Sequence, residues 1–412
     1  MIAHLESSHR KRIGLRQIKT DFGIGYFANG LIGFIFSATG PVSIILAVGS
    51  RGGLVQAELA SWVFGVFFIN GLITIGMSLY YKAPLGFAWS IPGTVLVGPA
   101  LTHLSFPAVI GAFYVTSVLL LVMGVSGWVK RLTAALPIPI VMGMVAGVFL
   151  HFGLDLIRAL KSDIQMAGPM IVAFLFLAAM PVWGKRIPPV IGALLVGAVV
   201  MVWGGQVKLA ALGSFGFAHP LVQQPVWSLA AMVELVVPLA ITVLVVQNGQ
   251  GVAVLENAGH RPPVNTIAVM SGIGAAASAM VGAVSSCLTG PTNALLTSSG
   301  QSSRHYTAAL SFGVLCIVFG LLSPTFTRLM LATPKEFIMV LGGLAMLRVL
   351  QGAFVSAFGS RRFTLGALVS LLVTIADISI LNIGAAFWGL LAGFCVSWLM
   401  EKHDFIALAN KT

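Results

Sequence analysis

Two short stretches place uncharged hydrogen-bond donors beside a proline: Ser90-Ile91-Pro92-Gly93 and Thr289-Gly290-Pro291-Thr292-Asn293. Proline suits the first turn of a helix, because its missing N–H would have no partner there. The residue before it is pushed away from helical geometry. Each stretch therefore reads as extended backbone leading into a helix start. A helix start carries roughly half a positive charge and several free N–H groups, which is anion-binding chemistry. Two such starts facing each other would hold an anion with no Arg or Lys. Trp89, just before the first stretch, is placed to stack on an aromatic ligand.

A second polar group, Gln247-Asn248-Gly249-Gln250-Gly251, follows the apolar run from Leu235 to Val246. Amides in such a setting either bridge neighbouring helices or bind a ligand. Ser37-Ala38-Thr39-Gly40-Pro41 is a comparable polar break near the N-terminus. Ionisable residues within apolar stretches are few: Asp377, Glu234, and His151 with Asp155 at i, i+4 on one helix face. Each is a candidate to carry a coupling proton. Cys287, Cys316 and Cys395 have neither a disulfide pattern nor a metal-ligand spacing. No hydrolase, metalloprotease or P-loop motif is present. The chain therefore reads as a non-enzyme that needs no cofactor or metal.

The elements that must position these residues are membrane helices. The chain is 58% hydrophobic and 8% charged, where soluble domains carry about 25% charged residues; the mean hydropathy is +1.00. Apolar stretches near the roughly 20 residues needed to cross a bilayer follow one another throughout. The short alternating strands of a spanning β-barrel are not seen. The fold class is thus all-α and polytopic, with about fourteen segments. Seven fall near 24–48, 56–80, 84–101, 105–128, 134–156, 166–183 and 187–204. Seven more fall near 229–255, 263–282, 285–300, 305–327, 335–356, 363–380 and 383–400. Numbered in that order, segments three and ten are the ones broken by Gly and Pro. Residues 1–23 form an N-terminal tail, 205–228 a connecting loop and 401–412 a C-terminal tail. The tryptophans, Trp62, Trp128, Trp183, Trp203, Trp227, Trp388 and Trp398, read mostly as interface anchors.

The second half of the chain echoes the first. Arg131-Leu132 recurs as Arg328-Leu329 and Gly192 as Gly389, both at a spacing of 197. Such an internal repeat marks a transporter whose site lies between the halves. Seven segments are an odd number, so the second repeat, 229–400, enters the membrane inverted relative to the first, 24–204. The net charge of +12 does not signal nucleic acid, because the basic residues cluster in alternate short loops. With Arg10, Lys11, Arg12, Arg16 and Lys19 before the first span, that pattern places both termini in the cytoplasm. The expected partners are membrane lipid, a small ligand and protons, with a homodimer left open.

Several motifs together resemble the benzoate/proton symporter family, BenE. They are Phe87-Ala88-Trp89-Ser90-Ile91-Pro92-Gly93, Gln247-Asn248 with Gly251, Ala258-Gly259 followed by Pro263-Val264, and Ala386-Phe387-Trp388-Gly389-Leu390-Leu391-Ala392-Gly393. The resemblance runs from about residue 24 to 400. It implies a bacterial inner-membrane importer of benzoate or a related aromatic carboxylate, driven by proton symport. It further implies distant kinship with nucleobase-cation symporters, and so a core domain of segments 1–4 and 8–11 with a gate domain of segments 5–7 and 12–14. Segment eight lacks the acidic residue by which nucleobase carriers read a base edge, and Gln247 and Asn248 stand in its neighbourhood. This favours a monocarboxylate. The alternatives are another small anion or a nucleobase on the same fold, an anion channel, or a scaffold without transport. Segments one, three, eight and ten are expected to meet at the ligand.

Overall fold

The computed structural model describes residues 5–7, 13–129, 131, 137–180, 189–205, 215–298, 300–377, 380 and 385–409. Trp183 and part of each tail and of the connecting loop lie outside them. Among the described residues, seven helices are long and apolar enough to cross a membrane, and six shorter apolar helices have 10–17 residues. With the short helix Gly290–Leu296 they account for all fourteen segments.

Segment one is two helices, Ile24–Ala38 and Gly40–Arg51, parted at Thr39. Pro41 has no N–H to continue the ladder, and the Thr39 hydroxyl donates to the carbonyls of Ile35 and Phe36 at 2.9 and 3.1 Å. Segment eight runs from Leu229 to Asn257, but its turns widen to π geometry over Thr242–Gln247, just after Pro238. These two segments are repeat equivalents, and both are interrupted near mid-length. Segment two, Gln56–Tyr81, has its own wide turn at Gly65–Ile69, where Asn70 Nδ2 donates to the Val66 carbonyl at 2.8 Å.

Segments three and ten are broken as expected. Each opens with a three-residue strand, Phe87–Trp89 and Ser286–Leu288, followed by the half-helices Ile91–Ala100 and Gly290–Leu296. The strands pair antiparallel, with Ala88 opposite Cys287 and Trp89 opposite Ser286. Backbone that leaves a helix within a bilayer must bond elsewhere, and here each interrupted segment satisfies the other.

Packing obeys the inverted repeat. Segment two packs on eleven (Tyr306–Leu321) and four (Phe106–Ser126) on nine (Val264–Met280), a symmetric pair of contacts. Gly71 serves the first of these, since a Cβ there would meet the Gly313 carbonyl at 2.7 Å. Segment one packs on eleven as eight packs on four. Six (Ile164–Ala179) packs on seven (Pro189–Trp203) as thirteen (Thr364–Ala376) packs on fourteen (Ala385–Met400). Five (Ile138–Ser162) lies along its own equivalent, twelve (Lys335–Phe358). Segments five, six, seven and twelve share a separate apolar cluster that includes Met170, Met201, Phe337 and Leu341.

Ends that an alternating chain would put on one face do meet. Asp21 pairs with Lys82 at 3.4 Å and accepts from Tyr306 Oη at 2.8 Å. Those residues stand at the start of segment one, the end of two and the start of eleven.

Three expectations are corrected. Segment eleven ends at Leu321, and a separate helix, Ser323–Leu331, follows with Pro324 in its first turn. Trp62 is not an interface anchor: it is fully buried and stacked on Phe106 at 6.3 Å. Asp377 is not inside the helix of segment thirteen but caps it, with a left-handed φ of 51°.

Candidate functional site

The two half-helix starts sit on either side of the strand pair. Ser90 caps the first, its Oγ accepting from Gly93 N–H at 3.0 Å and donating to Thr242 Oγ1 at 3.3 Å. Gly93 has no room for a side chain there, with Leu239 3.1 Å from a would-be Cβ. Pro92 occupies the first turn. Thr289 holds the equivalent place before Gly290–Leu296, but its hydroxyl is buried with no partner.

A small cavity of about 30 Å³ lies at these starts. Segment one contributes Phe36, Ser37 and Pro41 to its wall; segment three Ala88, Trp89 and Ile91; segment eight Gln247 and Gln250; and segment ten Thr289, Pro291 and Thr292. Among the described residues, no charged side chain lines it. Its polar wall is uncharged instead: Ser37, Gln247, Gln250, Thr289 and Thr292, with the indole of Trp89. Trp89 is 2% exposed, and its Nε1 has no partner. Its ring lies 4.9 Å from that of Phe67, which is 4.4 Å from Phe319. Buried donors are normally bonded, so two unpartnered donors on one cavity point to a polar guest. One water needs about 10–15 Å³ by this measure. The cavity therefore holds about two waters as it stands, and an aromatic acid requires it to widen.

Other residues singled out in the sequence hold the frame. Asn248 donates through Nδ2 to Ser271 Oγ at 3.2 Å and accepts from the Leu288 N–H at 2.8 Å. It thus pins segment eight to the second strand. Asn293 clamps segment ten to segment three: Nδ2 donates to the Gly86 carbonyl at 2.9 Å and Oδ1 accepts from the Gly86 N–H at 2.9 Å. Gly251 permits close approach, since a Cβ there would lie 2.6 Å from the Leu288 carbonyl oxygen. Gly290 packs on Gln250, 2.9 Å from its Cβ. Gly249 is partly exposed with open space around it. Ser37 donates to the Gly33 carbonyl at 3.0 Å, while Thr39 and Gly40 form the break in segment one.

Three of the four ionisable candidates, His151, Glu234 and Asp377, converge on a second, larger cavity of about 240 Å³. Its wall carries Arg51, His151, Glu234 and Asp377, with Thr374 of segment thirteen and apolar residues of segments one, three, five, eight and fourteen. Glu234 is 5% exposed and lies 2.9 Å from His103 Nε2. Asp155 is 8% exposed and accepts from Arg51 and, at 3.1 Å, from Arg158 Nη1. The half-helix Ile91–Ala100 joins the two cavities: its start lines the first, and Val95 to Pro99 line the second. At 1.5 Å per residue, Val95 lies about 6 Å along the helix axis from Ile91. Sequence reasoning missed His103 and Arg51 as partners, Phe36 as an aromatic wall and Phe67 as the ring packed behind Trp89. Nothing local marks them, because each meets residues from a distant segment.

Comparison with known proteins places this geometry. Residues 21–399 match the family BenE, described as "Benzoate membrane transport protein". The inner membrane protein YdcO of Escherichia coli (strain K12) is 30% identical over 369 residues, covering 88% of this chain and 91% of that protein. The benzoate membrane transport protein of Acinetobacter baylyi is 23% identical over 394 residues, covering 94% and 98%. Among solved structures, the transmembrane domain of a cyanobacterium bicarbonate transporter, BicA, superposes with a TM-score of 0.61 at 15% identity, over 93% of this chain and 98% of that one. The murine Slc26a9 anion transporter in its inward-facing state gives 0.64 at 14% identity, over 96% and 74%. At such identities the structural likeness speaks to the fold alone.

Proposed function

This chain belongs to the BenE family of benzoate membrane transport proteins, and from that premise we propose that it imports benzoate or a related aromatic carboxylate by proton symport. It is a multi-pass membrane protein and a transporter, not an enzyme. The observation that carries the substrate reading is the 30 Å³ cavity, with unpartnered Trp89 Nε1 and Thr289 Oγ1 and, among the described residues, no charged wall. The carboxylate takes the donors at the half-helix starts. The ring takes the apolar side, at Phe36, Pro41 and the face of Trp89. Gln247 and Gln250 orient the ligand through their amides.

Transport needs one body to move past another. Segments 1–4 and 8–11 form the moving core, and segments 5–7 and 12–14 the gate. The 240 Å³ cavity lies where these meet, which supports its role as the proton's entry. There Glu234 with His103, His151, Asp377 and the Asp155–Arg51 pair supply titratable groups. Coupling is energetically required. An inside-negative potential opposes entry of a monoanion by about 2.3 kcal/mol per 100 mV, so accumulation needs a co-transported cation. The protein sits in a bacterial inner membrane with both termini in the cytoplasm.

A second reading, a carrier for a small inorganic anion, draws on the narrowness of the cavity. Counterflow in proteoliposomes separates the two. Vesicles loaded with unlabelled benzoate should take up labelled benzoate, and neither bicarbonate nor uracil inside should substitute. Exchange supported by bicarbonate alone would overturn the aromatic-acid reading.

A further inference from the structure

Residues 215–228 of the chain that connects the repeats are strapped over one face of the molecule. Ala218 N–H donates to the Leu321 carbonyl at 2.7 Å, Leu221 N–H to Ser61 Oγ at 2.9 Å, Gln223 N–H to the Met280 carbonyl at 2.8 Å and Val226 N–H to the Pro107 carbonyl at 2.9 Å. Beneath the strap lies a cavity of about 420 Å³, distinct in its residues from both cavities above. Two helices begin at its wall. Gln56 opens Gln56–Phe64, and Ser323 opens Ser323–Leu331. The first has Glu58 in its opening turn, folded back on the Val55 N–H at 2.9 Å, and the second has no acidic residue there.

The charge balance of the wall is one-sided. Arg328 and His219 line it, and among the described residues no Asp or Glu does. The strap sequence from 205 to 228 also contains no acidic residue. The Arg328 guanidinium is drawn up to the strap, with Nη2 3.1 Å from where a Cβ of Gly216 would be. An independent mark of a ligand is Ser323: it is fully buried on this wall, and its hydroxyl has no partner. Phe64 and Phe217 supply apolar surface beside these donors. A guanidinium, a helix start and an uncommitted hydroxyl suit a carboxylate, and the phenyl rings suit an apolar body.

We propose that this cavity is a second binding site, separate from the transport site, for an organic monocarboxylate whose acid group meets Arg328 and Ser323 and whose apolar body meets Phe64 and Phe217. The choice of benzoate as probe rests on the transport reading above. The test is equilibrium binding of labelled benzoate to the purified full-length protein, with Trp89→Phe marking the transport site. Arg328→Gln and, to spare the arginine's other contacts, Phe217→Glu mark the strap site, Phe217 being exposed.

Two benzoates per chain are expected, falling to one in Arg328→Gln and in Phe217→Glu, with Arg328→Lys retaining two. A single benzoate lost in Trp89→Phe and unchanged in both strap variants would overturn the second site and leave the transport reading intact. A single benzoate lost only in the strap variants would uphold the second site and count against the transport site. No binding at all would overturn both. Displacement of the strap-site benzoate by phosphatidylglycerol at equimolar amounts, but not by cyclohexanecarboxylate, would identify a lipid headgroup as the occupant and overturn the carboxylate assignment.

Discussion

At the scale of single residues, the account separates groups that meet the ligand from groups that hold the frame. Trp89→Phe keeps an aromatic ring against Phe67 but removes the unpartnered Nε1 donor. A hydrogen bond to a charged group contributes about 1.5–3 kcal/mol, so the apparent affinity for benzoate should fall roughly tenfold to a hundredfold while folded yield holds. Unchanged affinity would remove Trp89 from the site. The neighbouring amides should part company. Gln247 lines the cavity, and Gln247→Leu should lower uptake at normal yield. Asn248 spends both ends of its amide on Ser271 and Leu288, and Asn248→Leu should lower yield and melting temperature first. Size-exclusion yield measured beside initial uptake rate decides this. If the two variants behave alike, the division is wrong.

At the scale of elements, the strand pair and its clamp are the critical feature. Asn293→Ala leaves the Gly86 N–H and carbonyl without their partners. Each orphaned group costs about 1–3 kcal/mol. The melting temperature in detergent should therefore drop together with uptake, unlike Trp89→Phe; loss of uptake at full stability would mean that Asn293 meets the ligand directly. The broken segments were legible in sequence because Pro92 and Pro291 fix where a helix can start. The fourteen apolar stretches were legible because bilayer thickness sets their length. The pairing of Trp89 with Ser286 was not, because three-residue strands almost 200 residues apart leave no periodic trace. Nor were the wide turns at Gly65–Ile69 and Thr242–Gln247, which have no composition of their own. The helix boundary at Leu321 was missed because Leu321, Leu322 and Phe326 continue the apolar run through it.

At the scale of the whole molecule, the claim is that the core moves past the gate and that a proton travels with the acid. Leu235 of segment eight and Ala386 of segment fourteen both line the 240 Å³ cavity and fall on opposite sides of the proposed core–gate division. Cysteines at these positions, with exposed Cys395 replaced by Ala, should arrest uptake when cross-linked and restore it on reduction. Full activity after verified cross-linking would contradict the moving core. In the sequence, Asp155, His151, Glu234 and Asp377 stood as separate candidates spread over more than 200 positions. Only the fold gathers His151, Glu234 and Asp377 on one wall and gives Asp155 and Glu234 the partners Arg51 and His103. The most direct test of the central claim is uptake of labelled benzoate into proteoliposomes under an imposed pH gradient, acidic outside, with no sodium present. The account predicts accumulation above equilibrium that collapses when a protonophore is added. Accumulation that follows an inward sodium gradient at equal pH on both sides, and ignores the pH gradient, would contradict it.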